Sequence, residues 1–372
     1  MTIFRILQPH ELTQAAQLSD AVFRPNISPS MAEMFPPLFA PGIVHSYGAF
    51  AEDGTLAAFM GLAPSRLRVG GVASIRAFSI GSVCTSPHHR GAGLAGNLLE
   101  LSIAHAKQAQ APLLLISGDR SLYTRAGSAA FGRATRFALR PRLPESSASG
   151  ASSSPLTIRA MIPQDLQRIH TLHEASPTRF EESVTGLGSR LGAAAYAAVL
   201  GNQPLTLVAE DHSGIVAYAA LAVPENRHAS TNPATVVSYG GAPRDVAALL
   251  AAASETFDLS HLQIDVPWQD QELQAILRQP YNEEEQVHNG GTLLITDLRI
   301  LLDQASDLWS LSWEEALQID DTGKVFATSS RRELQSTEVY GILFDHTYTR
   351  QSDIPSWFES IPLPSTYGLH YI

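Results

Sequence analysis

The sequence predicts an α/β (α+β) protein made of two tandem domains of one plan and a small C-terminal α+β domain. Three observations lead there: an opening of strand, turn, helix and hairpin that occurs twice, one strand, glycine loop and helix in the first copy only, and a change of pattern near Gly291.

In the first copy Ile3-Phe4-Arg5-Ile6-Leu7 reads as a strand, and Pro9-His10-Glu11-Leu12 turns it into a helix through Ala15, Leu18 and Phe23. A hairpin follows, with residues 45–51 and 55–63 joined at the acidic Glu52-Asp53-Gly54 turn. The second copy repeats this order. Leu156-Thr157-Ile158-Arg159 leads through Pro163-Gln164-Asp165 into Leu166, Ile169, Leu172 and His173, and residues 205–209 and 215–222 flank a second Glu-Asp turn ending in Gly214. Such a match over two separated elements marks an internal duplication. Between the copies, residues 146–154 are Ser, Ala and Gly with nothing to bury, and are predicted to be a flexible connection. From Gly291 the pattern becomes a strand at 292–295, a helix at 298–308, short strands near Ala316 and Val325, and a helix at 336–344. The ending, 362–372, carries aromatic and imidazole rings and no polar fray, so it is expected to pack. The predicted domains are therefore 1–145, 155–290 and 291–372.

Bulk properties narrow the function classes. With 44% apolar and 16% charged residues, 372 residues can bury several cores, which argues against a disordered interaction protein. No apolar run approaches the roughly 20 residues of a membrane helix, and the first residues lack a signal-peptide layout, so a cytoplasmic protein without a membrane partner is expected. The only cysteine, Cys84, cannot form an intrachain disulfide or a thiolate cluster, and no metal is expected. A net charge of −11 without a basic block disfavours a nucleic-acid partner and suits a cationic small molecule.

The chemistry concentrates after an apolar strand at 77–83. Cys84-Thr85-Ser86-Pro87-His88-His89 leads into Arg90-Gly91-Ala92-Gly93-Leu94-Ala95-Gly96, and Leu99, Ile103 and Ala106 then follow at helical spacing. A helix start offers unpaired N–H groups and the positive end of the helix dipole to an anion, and glycines let a diphosphate approach the backbone. Gly91 to Gly96 also fits the G-x-G-x-x-G dinucleotide fingerprint, with Asp119 downstream. That rival needs a loop directly after its strand within a βαβ unit, whereas seven residues separate Val83 from Gly91 and hairpins lie upstream.

The stretch 80–132 resembles the acetyl-CoA-binding core of the GNAT superfamily of N-acetyltransferases, whose signature Arg/Gln-x-x-Gly-x-Gly/Ala is met by Arg90, Gly93 and Ala95. The resemblance implies mixed central sheets. It also implies a splayed strand whose backbone at Val83, Cys84 and Thr85 meets the pantetheine arm, and a diphosphate loop from Arg90 to Gly96. The next strand ends at Gly118-Asp119, which complete the cofactor residues, and Tyr123 gives the departing CoA thiolate a proton. Two such domains before a small sterol-carrier-like one are similar to the enhanced intracellular survival acetyltransferases. In that family the C-terminal carboxylate, here that of Ile372, takes the proton from the amine.

The second copy has Gly240-Gly241-Ala242-Pro243-Arg244-Asp245 where the loop would be, and is expected to be catalytically silent. His88-His89 and the Glu283-Glu284-Glu285 run read as solvated, and Phe35-Pro36-Pro37-Leu38-Phe39 as a candidate wall of the acceptor pocket. The expected activity is acetyl transfer from acetyl-CoA, without a metal, to a primary amine of a small cationic molecule or a lysine, in a monomer or homo-oligomer. A non-catalytic binder of a CoA ester or lipid is the alternative, opposed by Tyr123 beside an intact loop. A longer acyl donor remains open.

Overall fold

The computed structural model describes residues 2–140, 156–225, 232–257, 259, 261–349 and 352–372. The expected connection at 146–154 lies outside these residues. Two compact units form, and each draws on separated stretches of chain: Met1–Phe131, Gly290–Thr366 and Ile372 in the first, Gly132–Asn289 and Tyr367–Tyr371 in the second.

The first unit begins with β1 (Ile3–Ile6), α1 (Leu12–Phe23), α2 (Met31–Met34), α3 (Pro36–Phe39), β2 (Tyr47–Phe50), β3 (Leu56–Val69), β4 (Ala73–Thr85), α4 (Leu94–Gln108), β5 (Leu113–Ile116) and α5 (Ser121–Thr124). The second unit holds β6 (Arg133–Leu139), β7 (Thr157–Ala160), α6 (Leu166–Glu174), β8 (Arg179–Phe180), α7 (Val184–Ala193), α8 (Ala195–Val199), β9 (Gln203–Asp211), β10 (Gly214–Val223), β11 (Ala234–Gly241), α9 (Pro243–Thr256), β12 (Leu262–Pro267), α10 (Gln271–Leu277) and β13 (Glu283–His288). The chain then returns to the first unit with β14 (Thr292–Ile295), α11 (Leu298–Ala305), β15 (Leu317–Ile319), β16 (Val325–Ala327), β17 (Glu333–Leu334) and α12 (Ser336–Phe344).

The first central sheet runs β1-β2-β3-β4-β5-β14 and the second β7-β9-β10-β11-β12-β6-β13. Each is antiparallel except for one parallel pair, β4 with β5 and β11 with β12, so both are mixed as expected. The duplication extends to side chains. Arg5 donates two hydrogen bonds to Glu11, at 2.7 and 2.6 Å, and Arg159 donates two to Asp165, at 2.6 and 3.0 Å. Each pair ties a first strand to the proline turn that starts the first helix. The arginine beside it holds the Glu11 carboxyl down at about 2.

The compact units cross the predicted domain limits. β6, expected to close the first domain, lies between β12 and β13 in the second sheet, where Phe137 is fully buried in that unit's core. β14, expected to open a third domain, pairs antiparallel with β5 at the edge of the first sheet. The two strands occupy equivalent places: each lies antiparallel beside the strand that follows the main helix. The reason is sheet-edge satisfaction, since an apolar edge strand must find a partner for its N–H and C=O groups and either strand has the required pattern.

Residues 291–366 are accordingly joined to the first unit instead of standing alone. Thr296 Oγ1 donates to Ala111 O at 2.8 Å, the Arg76 N–H donates to Gln304 Oε1 at 2.8 Å, and Tyr340 Oη bridges the Ile295 N–H and Gly127 O at 3.0 and 3.1 Å. The small sheet β15-β16-β17 is the part with its own pairing. Glu283, Glu284 and Glu285 are exposed as expected, yet they form an edge strand, and Glu284 accepts from Arg278 Nε at 2.8 Å.

Helix α4 fixes the site against the first sheet. Leu94, Leu98, Leu99, Ser102 and Ala106 are buried, and the leucines pack with Leu62, Ile80, Leu114 and Ile116. Each buried leucine contributes about 1.5–3 kcal/mol, enough to hold the helix start at the end of β4. Among the described residues no helix is long and apolar enough to cross a membrane.

Candidate active site

β4 and β5 pair only over 77–80 and 113–116. Beyond Ile80, β4 continues to Thr85 beside β3, while β5 stops at Ile116, so the two strands part and, among the described residues, the edge of β4 at Val83, Cys84 and Thr85 has no strand neighbour on the β5 side. The register between β3 and β4 also shifts here, between Phe59/Cys84 and Gly61/Gly81, and Ser82 takes φ 52°. A bulge of this kind bends the strand and re-aims its backbone groups. Sequence reasoning placed the splay but missed its components Gly81 and Ser82. A glycine inside an apolar strand is the signal that marks such a bulge.

After β4, a 3₁₀ turn at Pro87–His89 carries an exposed His88 and a half-buried His89, and no metal-binding cluster occurs among the described residues. Arg90, Gly91, Ala92 and Gly93 form the exposed loop, and Leu94, Ala95 and Gly96 form the first turn of α4. Gly91 and Gly93 have φ 83° and 72°, a region that side chains with a Cβ avoid, and Gly93 caps the helix in the left-handed conformation without a side-chain bond. No atom lies within 4 Å of where a Cβ would stand on Gly91, Gly93 or Gly96. The loop therefore presents bare backbone and a helix start to open space beside Arg90. A diphosphate and a pantetheine arm fit this cradle and the splayed edge beside it.

Gly118 and Asp119 follow β5. Gly118 O accepts from Thr292 Oγ1 at 2.8 Å, and Asp119 is exposed. Tyr123, on α5, is buried, with its ring against Gly118: a Cβ there would lie 3.7 Å from Tyr123 Cε2. Its hydroxyl makes no hydrogen bond among the described residues. Burial pushes the phenol up to about 12, against the opposing charge of Arg120, so the group keeps its proton at every working pH.

At Cys84 only the backbone is available to a ligand. Its side chain is buried, with Sγ 3.6 Å from Ser19 Oγ, and Ser82 Oγ donates to the same Ser19 Oγ at 2.9 Å. Burial pushes the thiol up to about 11, leaving almost no thiolate at neutral pH to act as a nucleophile. Cys84→Ala is therefore expected to keep turnover within a few-fold, as steady-state assays of the variant can check.

Ile372 lies at Gly81. A Cβ on Gly81 would stand 2.5 Å from the Ile372 carboxyl carbon and 2.9 Å from its O atom, so only glycine leaves room for the chain end. The residue is buried, and no Lys, Arg or His pairs with its carboxylate among the described residues. Phe35, Leu38 and Phe39 of the α3 segment are buried, and Leu38 lies under Gly61, so this stretch packs on the same strand pair.

Among its described residues the second unit lacks the open loop and the tyrosine, although β11 also pairs with β12 only over 234–236 and shifts register against β10. β11 ends at Gly241 and α9 starts at Pro243, leaving a single residue where the first unit has a loop, and Asp245 stands in the first helical turn. The third residue of α10, the helix corresponding to α5, is the fully buried Leu273, where α5 has Tyr123.

Residues 4–130 match the family model described as the acetyltransferase (GNAT) domain. No curated protein matches the sequence. Among solved structures, Eis1 from Mycobacterium abscessus is similar with a TM-score of 0.65 at 14% identity, over 98% of this chain and 99% of that one. GCN5-related N-acetyltransferases from Anabaena variabilis and Kribbella flavida are similar with TM-scores of 0.62 and 0.60, at 12% and 14% identity. The former covers 90% of this chain and 84% of its own, the latter 90% and 82%. At such identities the likeness is one of fold.

Proposed function

The chain carries a GNAT acetyltransferase domain over residues 4–130, and from that premise we propose that it transfers an acetyl group from acetyl-CoA to a primary amine, on a small cationic molecule or a lysine. The observation that carries this reading is the conjunction, in one unit, of an open glycine cradle at the start of α4, a parted strand edge, and a buried proton-bearing Tyr123. Acetyl-CoA, when bound, supplies the acyl group as a thioester.

The chain's own residues do the rest. Arg90 and the N–H groups from Gly91 to Gly96 hold the diphosphate, and the backbone of Val83, Cys84 and Thr85 extends the sheet toward the pantetheine amides. Gly118 and Asp119 border the far side. The Ile372 carboxylate takes a proton from the amine nitrogen as it attacks, and Tyr123 Oη gives a proton to the departing sulfur. The Tyr123 phenolate then regains a proton and the Ile372 carboxyl gives one up, both through solvent, so the sum is amine plus thioester to amide plus free thiol. A phenol near 12 facing a thiolate whose conjugate acid is near 8.5 acts mainly as a strong hydrogen-bond donor while negative charge builds on sulfur, since full transfer is uphill. One active site per chain follows from the closed loop and buried Leu273 of the second unit.

The test is thiol release from acetyl-CoA across a panel of polyamines, aminoglycosides and lysine peptides. Amine-dependent release with at least one class supports the reading. CoA binding by calorimetry with no release from any acyl-CoA across the panel overturns it in favour of a non-catalytic binder of a CoA ester. Arg90→Ala should weaken CoA binding about 10- to 100-fold, the worth of one or two hydrogen bonds to a charged group, with kcat little changed at saturating acetyl-CoA.

A further inference from the structure

The parting of β4 from β5 begins at a residue whose backbone is out of keeping with its type. Between the pairs Phe59/Cys84 and Gly61/Gly81, β3 supplies Met60 alone while β4 supplies Ser82 and Val83. Two residues opposite one make a β-bulge, and Ser82, its first residue, takes φ 52°. That position in that conformation is ordinarily a glycine, because a Cβ at positive φ crowds the following carbonyl oxygen. A serine there needs a contact that holds it.

The contact comes from α1. Leu12, Ala15, Ala16 and Ser19 form the buried face of that helix, which packs on β3 and β4. Ser19 is the polar member of this face and is fully buried. A buried hydroxyl is costly unless it is hydrogen-bonded. Ser82 Oγ donates to Ser19 Oγ at 2.9 Å, and Ser19 Oγ lies 3.6 Å from Cys84 Sγ. Both contacts go to β4, to the residues on either side of Val83.

What the bulge controls is register. Backbone groups alternate between the two edges of a strand and side chains between its two faces. The extra residue therefore decides which N–H and C=O groups of Val83, Cys84 and Thr85 turn toward β3 and which toward the open edge. A slip of one residue would exchange them and carry the Cys84 side chain out of the core. The stabilisation from one neutral hydrogen bond and the cost of a side chain at positive φ are of the same order, so the bond from Ser82 to Ser19 is strong enough to decide between the two registers.

We propose that Ser19 and Ser82 form a tether that holds the β4 bulge, and that both are positioning residues for the pantetheine edge at Val83, Cys84 and Thr85. This rests on the reading of that edge as part of an acetyl-CoA site. Neither hydroxyl enters the chemistry; the tether acts through backbone conformation alone.

The test compares full-length wild type with Ser19→Ala, Ser82→Ala and the double variant Ser19→Ala/Ser82→Gly. Each alanine variant loses the hydrogen bond and still has a Cβ at residue 82. The double variant lacks both hydroxyls, but glycine adopts φ 52° without a tether. In both alanine variants kcat/KM for acetyl-CoA should fall about 10- to 100-fold, between the worth of one hydrogen bond and that of a 1 Å displacement. Amide exchange in the peptide 79–86 should quicken in the same two variants. Both properties should return to within a few-fold of wild type in the double variant. That rescue separates a displaced backbone from a damaged core, because the double variant removes more than either single change. Wild-type kinetics and exchange in both alanine variants overturn the tether, as does a double variant no better than Ser19→Ala. If the wild type binds CoA but releases no thiol from any acyl-CoA, the acetyl-transfer reading fails and exchange alone decides the tether. Faster exchange that glycine reverses then supports it, and unchanged exchange overturns it.

Discussion

A protein lacking Ile372, or extended by a few residues beyond it, should lose about two to four orders of magnitude in kcat while binding CoA as before. Removing the residue leaves the new carboxylate on Tyr371, short of its place by about 3.5 Å, the span of one extended residue. Extension leaves the backbone in place but replaces the charged end by an amide, and adds chain where Gly81 leaves no spare volume. Gly81→Ala is the internal counterpart, since its methyl group would stand 2.5 Å from the carboxyl carbon, and it should lower kcat with intact CoA binding. Calorimetry with CoA and single-turnover acetyl transfer read the two effects separately. The sign with pH follows from the role: a carboxylate acts as base only when ionised, so kcat falls as pH drops through its pKa, and that acid limb should vanish in the shortened protein. Wild-type kcat in both altered termini would remove Ile372 from the mechanism.

Tyr123→Phe should lower kcat by about 10²- to 10⁴-fold with little change in stability or in KM for acetyl-CoA. The ring keeps its packing in the first-unit core, and the lost hydroxyl leaves no protein partner unsatisfied among the described residues. Because burial lifts the phenol to about 12, it stays protonated throughout the accessible range. The wild-type rate should therefore show no alkaline decline from loss of this proton below about pH 11, and should rise with pH as the acceptor amine, near 10.4 for a lysine, becomes neutral. A variant with wild-type kcat would assign the phenol no such part, whereas an alkaline limb near pH 9 that disappears in Tyr123→Phe would keep the role and overturn the raised pKa.

Much of this was readable from local pattern. Positive-φ glycines at 91 and 93, the apolar spacing of α4, and the Arg5-Glu11 and Arg159-Asp165 turns depend on residues close in sequence, and these found the cradle and the duplication. Tyr123 was reached through the resemblance of its segment to a family motif, and its burial then accounts for a phenol that keeps its proton. For Cys84 it took Ser19, from a distant helix, and the burial of both to show that its thiol is not poised for nucleophilic chemistry.

What the sequence by itself determined is the set of short-range devices: the repeated strand, turn, helix and hairpin, the loop from Arg90 to Gly96, and the loss of that loop at Gly240 to Asp245. Only the tertiary structure decided that β6 joins the second sheet and β14 the first, that residues 291–366 complete the first unit, and that the last residues seat at Val237 and Gly81. The physical reason is that a strand's alternating pattern specifies a buried face and two hydrogen-bonding edges but not which edge it will meet. A glycine likewise signals room for a close approach without naming what approaches. At Gly81 the neighbour is the end of its own chain, 291 positions away in sequence.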